Sequence, residues 1–284
     1  MSYPRTIGAA LEMGRRTLKP HSDTPGLDAQ LLLSEILSQT RTWILTHPDV
    51  ELEGIQSQTF VRDLARCEAG EALPYVLGWW EFYGRRFKLS PEVLIPRPET
   101  ELLIEEALSF LMTHPDRRKA ADVGTGCGGI AVTLAGEIPN LMIVATDNQL
   151  GALRIAQINA HDHHVLPRTW FIQADLLSPV GARFDLICAN LPYIPSDILA
   201  DLVVAQREPR SALDGGEDGL QVIDRLLAQV PDMLAPGGRV LIEIGADQAL
   251  VAQAIATKSI PNSKVEILQD LAGRDRLLVV DTGD

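Results

Sequence analysis

The chain has 284 residues, of which 46% are hydrophobic, and it carries a formal net charge of −13. This length can bury one large core or two smaller ones. A strongly acidic surface repels the phosphate backbone of nucleic acids, so the composition disfavours DNA or RNA as a direct partner. No stretch approaches the roughly 18 apolar residues of a membrane-spanning helix, so no membrane association is predicted.

Three cysteines, Cys67, Cys127 and Cys188, are far apart in the sequence. An odd number of distant cysteines is typical of reduced thiols in a cytoplasmic protein. The sequence has no CxxC pair that would favour structural zinc. The HDHH run at residues 161–164 lies in a polar stretch after a helical pattern, and we interpret it as a solvated loop rather than a metal site.

Residues 1–74 are predicted to form a small helical bundle. In DAQLLLSEIL the apolar residues share one helical face, and FVRDLARCEAG repeats the pattern with Phe60, Leu64 and Cys67. The texture changes in residues 75–95, where YVLGWWEFYGRRFKLSPEVLI combines aromatic and β-branched residues with glycine breaks. This segment predicts a hairpin-like connector.

Residues 96–284 alternate strand and helix patterns. The predicted strands are KAADVG, LMIVATD, RTWFIQAD, FDLICAN, RVLIEIG, KVEILQD and DRLLVVD. Helical patterns separate most of them, which is typical of an α/β fold with a doubly wound, mostly parallel, Rossmann-like sheet. A turn is predicted at APGG, before RVLIEIG. No helical pattern separates the last two strands, so we expect an antiparallel pair at the end of the sheet.

The first strand of this alternating region leads into the glycine-rich segment DVGTGCGG. Gly124, Gly126 and Gly128 allow a tight turn and a close approach of a ligand to the backbone. The helix N-terminus behind them offers unpaired N–H groups. The segment also matches the GxGxxG pattern of dinucleotide sites, although that match alone is weak. With Thr125 and Cys127, this loop is a candidate cofactor-binding segment.

Polar residues also end the next three strands. Asp147 follows the glycines at about the 20-residue spacing of a carboxylate that binds ribose hydroxyls. Asp175 ends the third strand, and Asn190 ends the fourth. Ligands of open α/β sheets bind outside the carboxyl ends of the strands, so the four polar strand ends together predict a nucleoside site.

S-adenosyl-L-methionine (AdoMet) fits this site better than NAD. No hydride-transfer partner, such as a histidine or a lysine–tyrosine pair, stands out in the second half of the sequence. AdoMet lacks a pyrophosphate, so its methionine part can occupy the glycine loop while Asp147 holds the ribose. Asp175 is then expected to accept from the adenine amine, with Leu176 packed against the ring. The product would be S-adenosyl-L-homocysteine.

The segment NLPY, Asn190 to Tyr193, suits methyl transfer to an amide. An amide nitrogen is a poor nucleophile, but its two N–H groups can be held by the side-chain oxygen of Asn190 and the backbone carbonyl of Leu191. Such hydrogen bonds strengthen as the nitrogen becomes positive in the transition state. Pro192 stiffens the loop, and Tyr193 offers a ring on which a planar amide or base can stack.

NLPY resembles the (N/D)PPY motif of N-methyltransferases that act on amides or exocyclic amines. The segments YVLGWWEFYGRRFKLSPEVLIPRPETE, DVGTGCGGIA, REPRSALDGGEDGL and DLAGRDR resemble one such family in order and spacing. This family is the protein-(glutamine-N5) methyltransferases of peptide chain release factors, also called PrmC or HemK. The resemblance covers nearly the whole chain, including the helical N-terminal region.

The resemblance implies an enzyme that methylates the glutamine of the GGQ loop in class I peptide chain release factors, with the N-terminal bundle helping to hold this protein substrate. It also implies that Arg97 and Thr100 of IPRPET line the AdoMet pocket, and that Glu208 and Pro209 lie near the substrate cleft. The family usually has proline where this chain has Leu191. A backbone carbonyl survives that replacement, so the amide clamp is expected to persist.

Three alternatives stay open from the sequence. The nearest is a related enzyme that methylates a glutamine of a ribosomal protein. NLPY also resembles the motif of ribosomal RNA adenine dimethyltransferases, which keeps an RNA or DNA amino-methyltransferase open, although IPRPET and the acidic charge disfavour it. A non-enzymatic AdoMet- or NAD-binding module is the most distant.

Overall fold

The computed structural model describes residues 3–178 and 180–283, and the chain divides into two compact units, Met1–Gly78 and Trp79–Asp284. The described part of the first unit is helical, as the apolar spacing predicts. Its helices are α1 (Ile7–Leu18), α2 (Pro25–Leu37), α3 (Arg41–Thr46), α4 (Gly54–Glu68) and α5 (Leu73–Leu77). Ile7, Leu33 and Phe60 are fully buried in its core, which gives this unit a hydrophobic centre of its own.

The second unit contains a two-stranded hairpin and a seven-stranded sheet with helices. Its strands are β1 (Trp79–Phe82), β2 (Arg85–Lys88), β3 (Lys119–Val123), β4 (Met142–Asp147), β5 (Thr169–Gln173), β6 (Phe184–Ala189), β7 (Leu234–Glu243), β8 (Lys264–Gln269) and β9 (Asp275–Asp281). Its helices are α6 (Thr100–Thr113), α7 (Gly129–Glu137), α8 (Leu150–Asp162), α9 (Ser196–Leu199), α10 (Gln221–Met233) and α11 (Ala249–Ser259).

The large sheet has the strand order β5-β4-β3-β6-β7-β9-β8. The strands from β5 to β7 pair in parallel, whereas β9 is antiparallel to both β7 and β8. The predicted doubly wound, mostly parallel sheet is confirmed, and so is the antiparallel pair at its end. Because β3 connects outward to β4 while β6 lies on its other side, the carboxyl ends of β3 and β6 flank the switch point where such sheets bind ligands.

Helix α10 packs on the sheet through the apolar face that its sequence pattern predicts. Its residues Ile223, Leu226, Leu227 and Val230 follow the i, i+3, i+4, i+7 spacing and are all fully buried in the core that also contains β6 and β7. A parallel sheet needs such cover on its faces, because its strands are apolar on both sides. None of the described helices is long and apolar enough to cross a membrane.

The turn predicted at APGG is part of strand β7 instead. Leu234 pairs with Phe184, and the pairing then shifts so that Arg239 lies beside Leu186. The intervening residues form a bulge, with Gly237 at a φ of 65° and with the ring of Pro236 unable to donate a hydrogen bond. The strand begins at Leu234, before the APGG residues, because the buried side chain of Leu234 packs against the sheet there.

The buried side-chain amide of Asn159 helps to fasten the hairpin to the helices of the large sheet. The side chain of Asn159 on α8 accepts from the backbone N–H of Lys88 at 2.8 Å and donates to its carbonyl at 3.0 Å. The same amide nitrogen donates to the carbonyl of Cys127 at 2.8 Å. The end of β2 and the glycine-rich segment are therefore held by the same side chain.

Candidate active site

A cavity of about 310 Å³ lies at the carboxyl ends of β3 to β6. Most of the sequence-predicted site residues line it: Thr100, Gly124, Thr125, Gly126, Cys127, Asp147, Asp175, Leu176, Asn190, Leu191 and Pro192. The lining of this cavity does not include Arg97, Gly128 and Tyr193, nor Glu208 and Pro209, which were expected near the substrate cleft. Its size falls at the lower end of the range for small-molecule sites.

The glycine-rich loop wraps tightly around the end of β3. The backbone N–H groups of Gly124 and Thr125 both donate to the carbonyl of Thr146, each at 2.9 Å. Gly124 has a φ of 74°, and a Cβ there would lie 2.9 Å from Cδ2 of Leu191. The positive φ favours glycine at this position, and a Cβ would also require the Leu191 side chain to shift.

The buried carboxylate of Asp122 holds the glycine-rich loop in place through two hydrogen bonds. Oδ2 of Asp122 accepts from the hydroxyl of Thr125 at 2.6 Å and from the N–H of Ala131 at 3.0 Å. Asp122 is 1% exposed, and burial raises its pKa to about 6, against the lowering effect of those two hydrogen bonds. Asp122 thus ties the glycine loop to the first turn of α7.

Asp147 lies at the end of β4 with both carboxylate oxygens aimed at backbone amides. Oδ2 accepts from Gly126 N–H at 3.0 Å, and Oδ1 accepts from Gln149 N–H at 2.8 Å. Burial raises the pKa of Asp147, and these hydrogen bonds oppose that shift. Each carboxylate oxygen has a second lone pair, so the side chain retains acceptor capacity for hydroxyls of a ligand in the cavity.

Asp175 and Leu176 follow β5. The carboxylate of Asp175 is exposed and forms an ion pair with Arg225 of α10, which also lines the cavity. Leu176 is buried and has a φ of 57°, an uncommon conformation for a bulky residue. Such strain in a cavity wall is often found at binding sites, because it places a side chain that an ordinary turn could not.

The NLPY segment leaves β6 beside the glycine loop. Asn190 Nδ2 donates to Thr100 Oγ1 at 2.9 Å. Leu191 is 4% exposed and belongs to the same apolar core as β6 and α10, which explains how leucine replaces proline here. Tyr193 is partly buried against that core, and its hydroxyl donates to Oε1 of Glu243 at 3.3 Å. Burial raises the pKa of Tyr193, so the phenol stays protonated.

The DGGEDG segment, residues 214–219, packs against the end of the NLPY segment and against the residue that follows it. Ile194 N–H donates to Leu213 O at 3.0 Å, and Gly215 N–H donates back to Ile194 O at 2.9 Å. A Cβ on Gly219 would lie 2.4 Å from the carbonyl oxygen of Tyr193, so only glycine fits at this contact. The resemblance of this segment to the glutamine methyltransferases therefore has a structural counterpart.

Arg97 and Glu208 come together, although they were predicted for different parts of the site. They form an ion pair, and Oε2 of Glu208 also accepts from Ile95 N–H at 3.0 Å. The side chain of Glu208 is 5% exposed. This contact joins the IPRP segment to the REPR segment beside the cavity.

Sequence reasoning missed several residues of the site. Those that line the cavity include Phe82, Glu92, Val93, Leu94, Pro96, Ser211, Ala212, Asp214 and Arg225. Most of them lie in loops whose position depends on the fold. Glu243 was missed as well, although it ends the apolar strand LIE as Asp147 ends its own strand. A polar residue at a fifth strand end was therefore a signal available in the sequence.

The histidine run, residues 161–164, does not line the cavity, whereas Cys127 does. In the described ranges, 3–178 and 180–283, no group of three or more metal-binding side chains occurs. His161 and Asp162 lie in the last turn of α8, and His163 Nε2 is 2.8 Å from the carbonyl oxygen of Arg86. Cys127 lines the cavity as a thiol, because burial raises its pKa to about 12.

Two family models match the chain. The PrmC N-terminal domain matches residues 9–78, and the methyltransferase small domain matches residues 99–207. A release factor glutamine methyltransferase of Moorella thermoacetica is 37% identical over 278 residues, which is 97% of each chain. One from Koribacter versatilis is 40% identical over 265 residues, which is 91% of this chain and 92% of the relative.

A solved structure supports the fold alone. The ribosomal protein L11 methylase of Lactobacillus delbrueckii subsp. bulgaricus aligns with a TM-score of 0.51 at 20% identity, covering 69% of this chain and 84% of that one. The seven-stranded sheet with flanking helices is thus the fold of a known methyltransferase.

Proposed function

The chain belongs to the release factor glutamine methyltransferase family, and from this premise we propose that it transfers the methyl group of AdoMet to the side-chain amide nitrogen of a release factor glutamine. The main structural support for this proposal is the cavity, which is lined by the glycine loop, by Asp147 and by residues of the NLPY segment. Family membership supports the reaction, and the site supports its chemistry.

The residues present fit AdoMet. Gly124 and its neighbours bring backbone close to the cavity, where a Cβ would collide with Leu191. Asp147 supplies a partly buried acceptor for the ribose hydroxyls. Asp175 and Leu176 lie after the next strand, where we expect the adenine amine and ring. When bound, AdoMet supplies an electrophilic methyl group on a sulfonium.

The chain's own contribution to transfer is orientation of the amide. Asn190 Nδ2 is engaged by Thr100, so Oδ1 is the end of this side chain that can accept from the glutamine N–H. The carbonyl of Leu191 is the second acceptor. Both residues line the cavity, and both acceptors bind more strongly as the nitrogen gains positive charge. The extra proton can leave after transfer, so no general base is required.

The substrate is proposed to be the glutamine of the GGQ loop in class I release factors, with residues 1–74 helping to hold that protein and residues 75–95 connecting them to the methyltransferase domain, residues 96–284. The match of residues 9–78 to the PrmC N-terminal domain supports a role for the helical unit in this family-specific recognition. The buried thiols accord with a reaction in the cytoplasm. We expect no direct nucleic-acid contact.

Labelled AdoMet and purified release factor test this proposal. We expect label in the GGQ peptide, located by mass spectrometry, and no label in a release factor whose GGQ glutamine is replaced by alanine. Parallel incubations with ribosomal protein and with rRNA serve as comparisons. Label only in one of these would contradict the proposal and favour the related ribosomal-protein or amino-methylase activity.

A further inference from the structure

Three side chains form a hydrogen-bonded chain behind the amide of Asn190. Asn190 Nδ2 donates to Thr100 Oγ1 at 2.9 Å, and that hydroxyl donates to Oε2 of Glu243 at 2.6 Å. The hydroxyl of Tyr193 donates to the other oxygen of Glu243 at 3.3 Å. Thr100 is the first residue of α6 and Glu243 is the last of β7, so two separate elements converge on the NLPY segment.

The direction of this chain is fixed by the number of protons. A threonine hydroxyl has one proton, and here it is given to Glu243. The hydroxyl oxygen can then only accept from Asn190. Asn190 must therefore turn its NH₂ group toward Thr100, which leaves Oδ1 at the opposite end of the amide.

The alternative orientation of the amide would oppose the reaction. If the side chain were rotated by 180°, its NH₂ group would face the NH₂ group of the substrate glutamine. Two donors would then meet, and the clamp would lose one of its two acceptors. An asparagine alone has little preference between the two orientations, so a neighbour must decide between them.

We propose that Thr100 and Glu243 are positioning residues that hold the Asn190 amide with Oδ1 toward the substrate; this rests on the proposed glutamine methylation. Thr100 was expected to bind the cofactor, whereas this contact gives its hydroxyl a role toward Asn190. Glu243 is 1% exposed and Thr100 is 5% exposed. Water therefore has little access to replace either hydrogen bond.

Burial favours the protonated form of Glu243, whereas hydrogen bonds from two hydroxyl groups favour its carboxylate form. Both of its oxygens accept from hydroxyl groups, which is the arrangement of a carboxylate. Burial raises the pKa of Glu243, while the hydrogen bonds from Thr100 and Tyr193 and the charge of Arg276 lower it, and Glu99 opposes them. A carboxylate this buried is costly to hold, so it persists because it has defined partners.

Three variants test the chain of hydrogen bonds. Thr100→Val removes the hydroxyl without changing the shape of the side chain, Thr100→Ser keeps the hydroxyl, and Thr133→Val is the matched control. Thr133 is also fully buried, but the described residues offer its hydroxyl no hydrogen-bond partner. Each variant is assayed for kcat, for KM toward release factor, for AdoMet affinity and for melting temperature.

We expect Thr100→Val to lower kcat by about 5- to 30-fold, the effect of losing one orienting hydrogen bond, with KM and AdoMet affinity within about threefold. Thr100→Ser should recover most of that loss, and Thr133→Val should match the wild type. A Thr100→Val enzyme with the kcat of Thr133→Val, or one that loses only AdoMet affinity, would overturn the proposal.

A second readout does not depend on the substrate. The side-chain NH₂ resonances of Asn190 are identified in a ¹⁵N spectrum by their loss in Asn190→Ala. One of the two protons should exchange slowly with solvent in the wild type and in Thr100→Ser, and at least about tenfold faster in Thr100→Val. Equal exchange rates in the wild type, Thr100→Ser and Thr100→Val would refute the hydrogen bond between Asn190 and Thr100. If release factor is not methylated by the wild type, the proposed function fails while this measurement still judges the orientation.

Discussion

The carboxylate of Asp147 accepts a hydrogen bond from the backbone amide of Gly126 at 3.0 Å. A residue at the end of β4 thus holds the glycine loop that follows β3. The same carboxylate accepts from Gln149 N–H at 2.8 Å. A ligand that binds Asp147 therefore meets a loop that is already in place, which reduces the entropy lost on binding.

Replacing Asp147 by alanine should weaken AdoMet binding by at least about tenfold, because hydrogen bonds to a charged acceptor contribute about 1.5–3 kcal/mol. Isothermal titration calorimetry measures this change directly. Asp116→Ala is the matched control. This exposed acid lies between α6 and β3, so it is near the amino end of β3, whereas the cavity is at the carboxyl ends of the strands. Equal affinities for the two variants would refute the assignment of Asp147 to the ribose.

Asn190→Ala should lower kcat by at least about 100-fold, since it removes an acceptor that is aligned with the reacting nitrogen. AdoMet affinity should stay within about threefold, because the proposed clamp contacts the substrate amide. Single-turnover methylation with labelled AdoMet measures the first quantity and calorimetry the second. Parallel loss of both, with a lowered melting temperature, would make Asn190 a structural residue instead.

Leu191→Ala should destabilise the protein by about 2–4 kcal/mol, because it leaves a cavity in the core where Leu191 contacts the loop at Gly124. It should also lower kcat: alanine keeps the backbone carbonyl of residue 191, but it removes the side-chain packing that holds this carbonyl in the clamp position. Leu227→Ala removes a fully buried leucine from α10, in the same core, and serves as the control. Urea unfolding and kcat separate the two effects: similar losses of stability are expected, with a loss of kcat specific to position 191.

Asp122 makes stability depend on pH. Burial raises its pKa to about 6 from the ordinary value of 3.8, so the folded state binds its proton more tightly than the unfolded state does. The stability that the protonated form contributes is complete below pH 3.8 and is lost as the pH rises to about 6. The free energy of unfolding of the wild type should therefore fall relative to that of Asp122→Asn by roughly 1 kcal/mol between pH 5 and pH 7.5.

Urea unfolding of both proteins at several pH values measures this difference. Asparagine can keep the hydrogen bonds from Thr125 and Ala131 through its amide oxygen but has no charge to bury. A constant difference across the range would show that Asp122 does not titrate there. Other acids that titrate in the same range affect both proteins equally, so the comparison isolates position 122.

The alternation of apolar runs and polar strand ends was sufficient to predict the sheet domain and the edge where the cavity lies. Strand periodicity placed Asp147 and Asn190 correctly at the ends of β4 and β6. The turn at APGG was misplaced, because the pairing of Leu234 with Phe184 is a contact between distant parts of the chain. Local propensity cannot include such a contact, and here the tertiary contact decides where the strand begins.

The sequence by itself determined the fold class, the family and the residue types of the site, because periodicity, glycine turns and short motifs are local properties of the chain. Only the tertiary structure decided which side chains meet. Arg97 pairs with Glu208, and Thr100 lies between Asn190 and Glu243. Those partners are 111, 90 and 143 residues apart in the sequence. Hydrogen bonds over such distances form only when the sheet places its strand ends at one edge.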